Sequence, residues 1–188
     1  VLHANTLDLF KVKLNPGLTF QDVVAEPHME DRLLVFRNCR ARAYGGTITA
    51  VIGINLDNGR QTYTIEFSGI RLGTFLRSFA SVDNGTDGKV SGRFSFVVPG
   101  GSDGKGIDGS GEVQVTEGNL LQLGALANLL VGDPSNSTNR DTAIAHLEIR
   151  RGKIFLKGTR ISSPGAMVPV RGSIDMEDGT LDLVVIPY

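Results

Sequence analysis

Apolar side chains return at every second position in several separated stretches of this chain, and that spacing limits what it can fold into. From Ile48 the even positions Ala50, Ile52, Ile54 and Leu56 are apolar, while Thr47, Thr49, Gly53 and Asn55 fall between them. A strand has a side-chain period of two, so such a run predicts a β-strand with one greasy face. Tyr63, Ile65 and Phe67 repeat the pattern after Asp57-Asn58-Gly59, and Val90, Phe94, Phe96 and Val98 repeat it again. The 24 glycines are dispersed and there are only 7 prolines, a composition that predicts many turns and excludes a collagen-like or low-complexity chain.

Three stretches share a template of strand, tight turn and apolar residue: 111–120, 145–154 and 172–181. In each, a late glycine supplies the positive φ of a short hairpin loop, and Asp178-Gly179 is the strongest such signal. The copies are unevenly spaced, which argues for a meander and against a propeller or strict solenoid. Two segments break the rhythm. Residues 70–79 place Leu72, Phe75, Leu76 and Phe79 at helical spacing, with Ser68 as a cap. Residues 119–131 are apolar around much of a helical circumference and end at Gly132-Asp133-Pro134, so this helix has to be covered on more than one side. Residues 100–106 and 133–140 read as polar loops. The fold class expected is mainly β with two short helices, an antiparallel meander of hairpins curled into an open groove, or half-barrel.

Charge and length remove several functions. Nineteen basic against 20 acidic residues leave a net charge of -1, so no sequence-wide field draws in nucleic acid. The longest nearly uninterrupted apolar run, 123–131, is about half of the roughly 20 residues that a membrane-spanning helix needs, so no membrane-spanning segment is expected. Leu, Ile, Val and Phe number 58 of 188 residues, enough to build a core. A single cysteine, Cys39, excludes an internal disulfide framework and a cysteine-built zinc site. The chain opens on Val1 and ends in a strand-like run, which reads as one piece of a longer protein.

Catalytic patterns are nearly absent. Gly100-Gly101-Ser102-Asp103-Gly104 satisfies G-x-S-x-G, but that motif needs a strand before it and a helix after it, and here another strand follows. His3, His28 and His146 are scattered, with His146 on the polar side of its strand. Asp83-Asn84-Gly85-Thr86-Asp87-Gly88 departs from a calcium loop at Gly85, and Phe94 stands where the bidentate glutamate belongs. Asp103 and Asp108 sit in a loop, and the absence of Trp with only 3 Tyr counts against a carbohydrate-cleaving site. No enzyme, metal or cofactor is expected.

One resemblance emerges from order and spacing. Residues 37–48, the run Phe67-Ser68-Gly69-Ile70-Arg71-Leu72-Gly73-Thr74-Phe75-Leu76, then Gly109-Ser110-Gly111-Glu112-Val113-Gln114-Val115 leading into the leucine-rich segment, and finally 143–149, 152–156 and 172–183 resemble the C-terminal region of AsmA-like proteins. The likeness covers about residues 35–183, while residues 1–34 match poorly, and 1–188 is treated as a single β domain. It implies a periplasmic envelope protein, anchored upstream in the inner membrane, whose apolar β-groove shelters or conducts phospholipid or other lipid toward the outer membrane. Envelope proteins are the other partners expected on this resemblance. On that reading the groove lining is Ile48, Ile52, Ile54, Phe94, Phe96, Val113, Val115, Leu147, Ile149, Ile174, Met176, Leu181 and Leu183. The rival is a closed β scaffold that assists outer-membrane assembly through protein contacts, with the same residues forming an ordinary core under the two helices.

Overall fold

The computed structural model describes residues 2–8, 19–80, 87–101, 106–120, 141–163, 166–175 and 181–185. Within them the alternating stretches form one sheet of eleven strands whose spatial order is the chain order. The strands are β1 (Leu2–Asp8), β2 (Thr19–Glu30), β3 (Leu33–Ala43), β4 (Gly46–Asn55), β5 (Gln61–Arg71), β6 (Lys89–Val98), β7 (Asp108–Gly118), β8 (Asp141–Arg150), β9 (Lys153–Ser163), β10 (Ala166–Asp175) and β11 (Leu181–Val185). All neighbours are antiparallel, and β1 and β11 each pair on one side only, so the sheet is an open meander and no barrel. The poorly matched N-terminal part belongs to the same sheet, since β1 pairs with β2 and β2 with β3.

Local chemistry explains the sequential order. Tyr44-Gly45 and Arg151-Gly152 are two-residue connections in which both residues have positive φ (50° and 80°; 50° and 77°). That geometry matches the right-handed twist of the flanking strands. Between β4 and β5, the Asn55 side-chain oxygen accepts the backbone N–H groups of Asp57 at 2.9 Å and Asn58 at 3.2 Å. Such an Asx turn folds the chain back locally, and the Leu56 N–H, donating to the Arg32 carbonyl at 2.8 Å, ties it to the neighbouring β2–β3 turn. The 145–154 template is therefore a hairpin as expected. The 111–120 template is not: Glu117 (φ 55°) is an irregularity inside β7, which ends at Gly118, and β8 begins only at Asp141. In the third copy β10 and β11 do pair, with the turn outside the described residues.

Register shifts recur at Asn38 in β3, Gly69 in β5 and Gly158 in β9, all at positive φ. An extra residue on one strand bends it and raises its twist, which is how a wide sheet is curled.

One helix, α1 (Leu72–Ala80), is present among the described residues, against two expected. Ile70 and Arg71 belong to β5, and Ser68, expected as the cap, pairs with Thr47 inside the sheet. The ladder to β6 extends as far as Arg71, and strand pairing there outweighs the helical spacing. Of the second expected helix, Asn119 and Leu120 are described and the remainder lies outside the described residues.

On β8, Glu148 accepts hydrogen bonds from Lys157 on β9 and from Arg150, and the Lys157 contact foremost holds its carboxyl below the usual glutamate range. A folded-state pKa lowered in this way contributes stability that is present above the unfolded pKa and lost as pH falls through the folded value. Acid unfolding of Glu148→Gln, followed by circular dichroism, is expected to lose that share of the pH dependence below pH ~4.

Candidate functional site

Residues opposite one another in an antiparallel ladder share a face, so the register sorts the side chains. Ile48 faces Phe67, and Ile52 faces Phe36 on one side and Tyr63 on the other. Tyr63 faces Phe96, Phe96 faces Gly109, and Gly109 faces Ile149. Phe94 faces Gly111, which faces Leu147. Val113 and Val115 follow on the same side of β7, Ile54 on that of β4, and Ile174 joins through Ile154 on β9. Ten of the expected lining residues therefore lie on one face. Leu181 and Leu183 are opposite Ile174 and Gly172, which places them in register with that face. Met176 lies outside the described residues.

The same ladders add residues that the lining expected from sequence omits: Leu34, Phe36 and Cys39 on β3, Ile65 and Phe67 on β5, Leu156 and Ile161 on β9, Val168 and Val170 on β10. For β5 the alternation was legible. On β3 and β9 it is interrupted by the irregularities at Asn38 and Gly158, each of which shifts the period by one.

The two faces differ in their charge and in their exposure, although Val35, Val97, Ile144 and Phe155 on the outer face are also half-buried. All these apolar-face residues with described side chains are buried or half-buried, whereas Arg37, Arg40, Thr49, Glu66, Arg93, Glu112 and His146 on the other face are exposed. That outer face carries cross-strand polar pairs, an ion pair of Arg93 with Glu66 at 3.3 Å and a contact of His146 Nδ1 with the Glu112 carboxylate at 3.1 Å. Exposed pairs of this kind contribute little stability and keep the surface hydrated. Half-burial over most of the apolar face, with one short helix as the described partner, reflects side chains of neighbouring strands shading one another across the ladder.

Glycines shape the floor. Gly111 and Gly109 stand opposite Phe94 and Phe96, and a Cβ on either would run into the facing phenylalanine. A Cβ on Gly92 would meet Phe67 Cζ at 2.8 Å. The rings lie over bare backbone and stack across strands, Tyr63 on Phe96 at 4.7 Å and Phe67 on Phe94 at 5.8 Å. Aromatic side chains covering cross-strand glycines shield the exposed ladder. Tyr63, whose hydroxyl donates to Gln61, has its pKa raised by burial.

Cover is concentrated at one end. Leu120 (5 % exposed), Ile161, Val168 (2 %) and Val170 form a tight cluster against which Leu72, Val115, Ala143 and Leu156 pack. Leu72 opens α1, so the helix and Leu120 fill the end of the face nearest the Tyr44-Gly45 turn, where Ala43 and Ile70 are also buried. Toward the turns at Asp31 and Asp57 the side chains Ile52, Ile54, Phe94 and Phe96 stay half-buried, while Ile149, at 7 % exposed, is buried.

Cys39, the chain's one cysteine, lies on this face opposite Ala50, its thiol 3.6 Å from the Phe36 carbonyl oxygen. Burial pushes the thiol pKa up. Among the described residues no cluster of His, Cys, Asp or Glu is placed to hold a metal ion, and no helix is long and apolar enough to cross a membrane. The run at 100–104 begins in a turn after β6, and Ser102, Asp103 and Gly104 lie outside the described residues. Compared with known proteins, the chain matches no family model, no curated protein and no solved structure.

Proposed function

We propose that the apolar face shelters the hydrocarbon chains of a lipid, without catalysis, as a segment of a periplasmic envelope protein that passes lipid between membranes. The observation that supports this reading is the apolar face that continues from β3 to β10, half-buried over most strands, with its tight cluster of buried side chains at one end. Each methylene withdrawn from water contributes about 0.8 kcal/mol, so a chain lying on such a face gains enough to be held while its polar group stays in solvent. Length agrees. The ten residues of β4 span about 33 Å at ~3.3 Å each, against about 15 Å for one leaflet's share of a ~30 Å hydrocarbon core. The resemblance to AsmA-like proteins supports the same class of cargo and the envelope setting.

Cys39 provides the test. Because its thiol is held protonated by burial, modification by a thiol reagent at neutral pH is expected to be slower than that of a free thiol and to accelerate as pH rises. Bound lipid should slow it further, and a polarity-sensitive fluorophore attached there should shift to the blue when phospholipid vesicles are added. Native mass spectrometry of gently extracted protein should show co-purifying lipid. An unresponsive fluorophore together with lipid-free protein would replace this reading with that of a sealed β scaffold.

A further inference from the structure

A second feature sits at the helix end, on the rim of the apolar face. Gln21, Arg42, Tyr44, Arg71, Thr74 and Ser78 line a solvent-open cleft of about 650 Å³ between α1 and the Tyr44-Gly45 turn. Ala43 and Gly46, which pair across that turn on the Ile48 side of the ladder, form part of its wall. We infer that this cleft binds a phosphate group. The inference deepens the lipid reading and rests on it only for where the phosphate comes from.

Two guanidinium groups reach the cleft. Arg71 lies flat over the turn: a Cβ on Gly45 would come within 2.5 Å of its Nε and 3.0 Å of Nη2, so the glycine is what lets the guanidinium settle there. Gly45 also has φ +80°, so the turn and the seat for Arg71 require the same residue. The Arg71 backbone N–H donates to the Tyr44 carbonyl at 3.0 Å, which fixes the base of the side chain. Among the described residues no carboxylate pairs with Arg71. Arg42 stands near Asp22, Nη1 to Oδ2 3.4 Å, with both side chains well exposed, a pair weak enough to exchange for a better acceptor.

The remaining groups suit the same ligand. Thr74 and Ser78, four residues apart on α1, bring hydroxyl donors to the cleft. The Tyr44 ring, packed edge-on against Phe75 of α1 at 5.7 Å, forms part of the wall. A guanidinium fork and hydroxyl donors complement a tetrahedral oxyanion, for which arginine's planar, always-charged donor set is matched in geometry.

The experiment compares three probes on the intact chain: dodecanoyl lysophosphatidic acid, monododecanoyl glycerol, and inorganic phosphate. A fluorophore on Cys39 reads the two lipids and ³¹P NMR line width reads the phosphate. The phosphate-bearing lipid is expected to bind about tenfold tighter than the glycerol ester, with Arg71→Gln removing that gap and leaving the ester's affinity unchanged. Arg71→Lys should restore part of the gap, because charge returns without the fork. Circular dichroism checks that each variant is folded, and Ser78→Ala tests the site with the turn intact, with a smaller loss in the same direction. Equal binding of the two lipids by the native protein, or a gap that survives Arg71→Gln, overturns the phosphate site and leaves the acyl-chain reading standing. Phosphate broadening that depends on Arg71, with no response to either lipid, upholds the site for free phosphate and overturns the acyl-chain reading.

Discussion

Gly111→Val is expected to destabilise the protein by about 2–4 kcal/mol, read as a shift in the urea midpoint followed by circular dichroism. Position 111 lies opposite Phe94 on β6, and a Cβ there would meet that ring as well as the Arg93 carbonyl oxygen at 2.7 Å. A branched side chain forces the ring upright, which strains β7 and breaks the stack of Phe94 on Phe67. Overpacking of this kind costs roughly 1–3 kcal/mol and a stacked pair about 0.5–1.5 kcal/mol. Combining the change with Phe94→Ala vacates the space, so the double variant should lose clearly less than the sum of the two single losses. A single variant within about 0.5 kcal/mol of the native protein would show that the ring does not depend on a bare backbone beneath it.

Ile52→Lys separates an open face from a sealed core. Ile52 lies on the apolar face between Phe36 and Tyr63 and is half-buried. If hydrocarbon occupies that place, an ammonium group there should reduce lipid capture at least about tenfold, since a charge is poorly accommodated beside an acyl chain. Stability should change by only about 1 kcal/mol, because the lysine stem stays on the face while its head reaches water. A sealed core would answer differently: the variant would lose about 3 kcal/mol or more from the burial of an unpaired charge. Val51→Lys is the control. Val51 is 49 % exposed on the opposite face, and neither lipid capture nor stability should respond there.

The strand-forming stretches were legible because the pattern that defines a half-buried strand is local. The runs at Ile48, Tyr63 and Val90 read correctly as strands of one meander, and the turns at Asp57 and Arg151 close as their residues suggest. Local reading failed where pairing partners intervene. Leu72, Phe75 and Leu76 do form a helix, but its start is set by the ladder between β5 and β6, which holds Ile70 and Arg71 as strand. The alternation of β3 and β9 is hidden by single inserted residues, so Phe36 and Ile161 joined the face only once the register was known.

The periodicity of the chain alone determined that it would make antiparallel hairpins with one apolar and one charged side, because a strand's side chains alternate whatever its neighbours are. Which strands lie side by side, that the sheet stays open between β1 and β11, and that α1 and Leu120 close one end were decided by the fold. So was the meeting of Arg42 and Arg71, twenty-nine positions apart in the sequence, at a single cleft. Those features depend on distances between residues remote in the chain, which pairing and packing set and no single segment encodes.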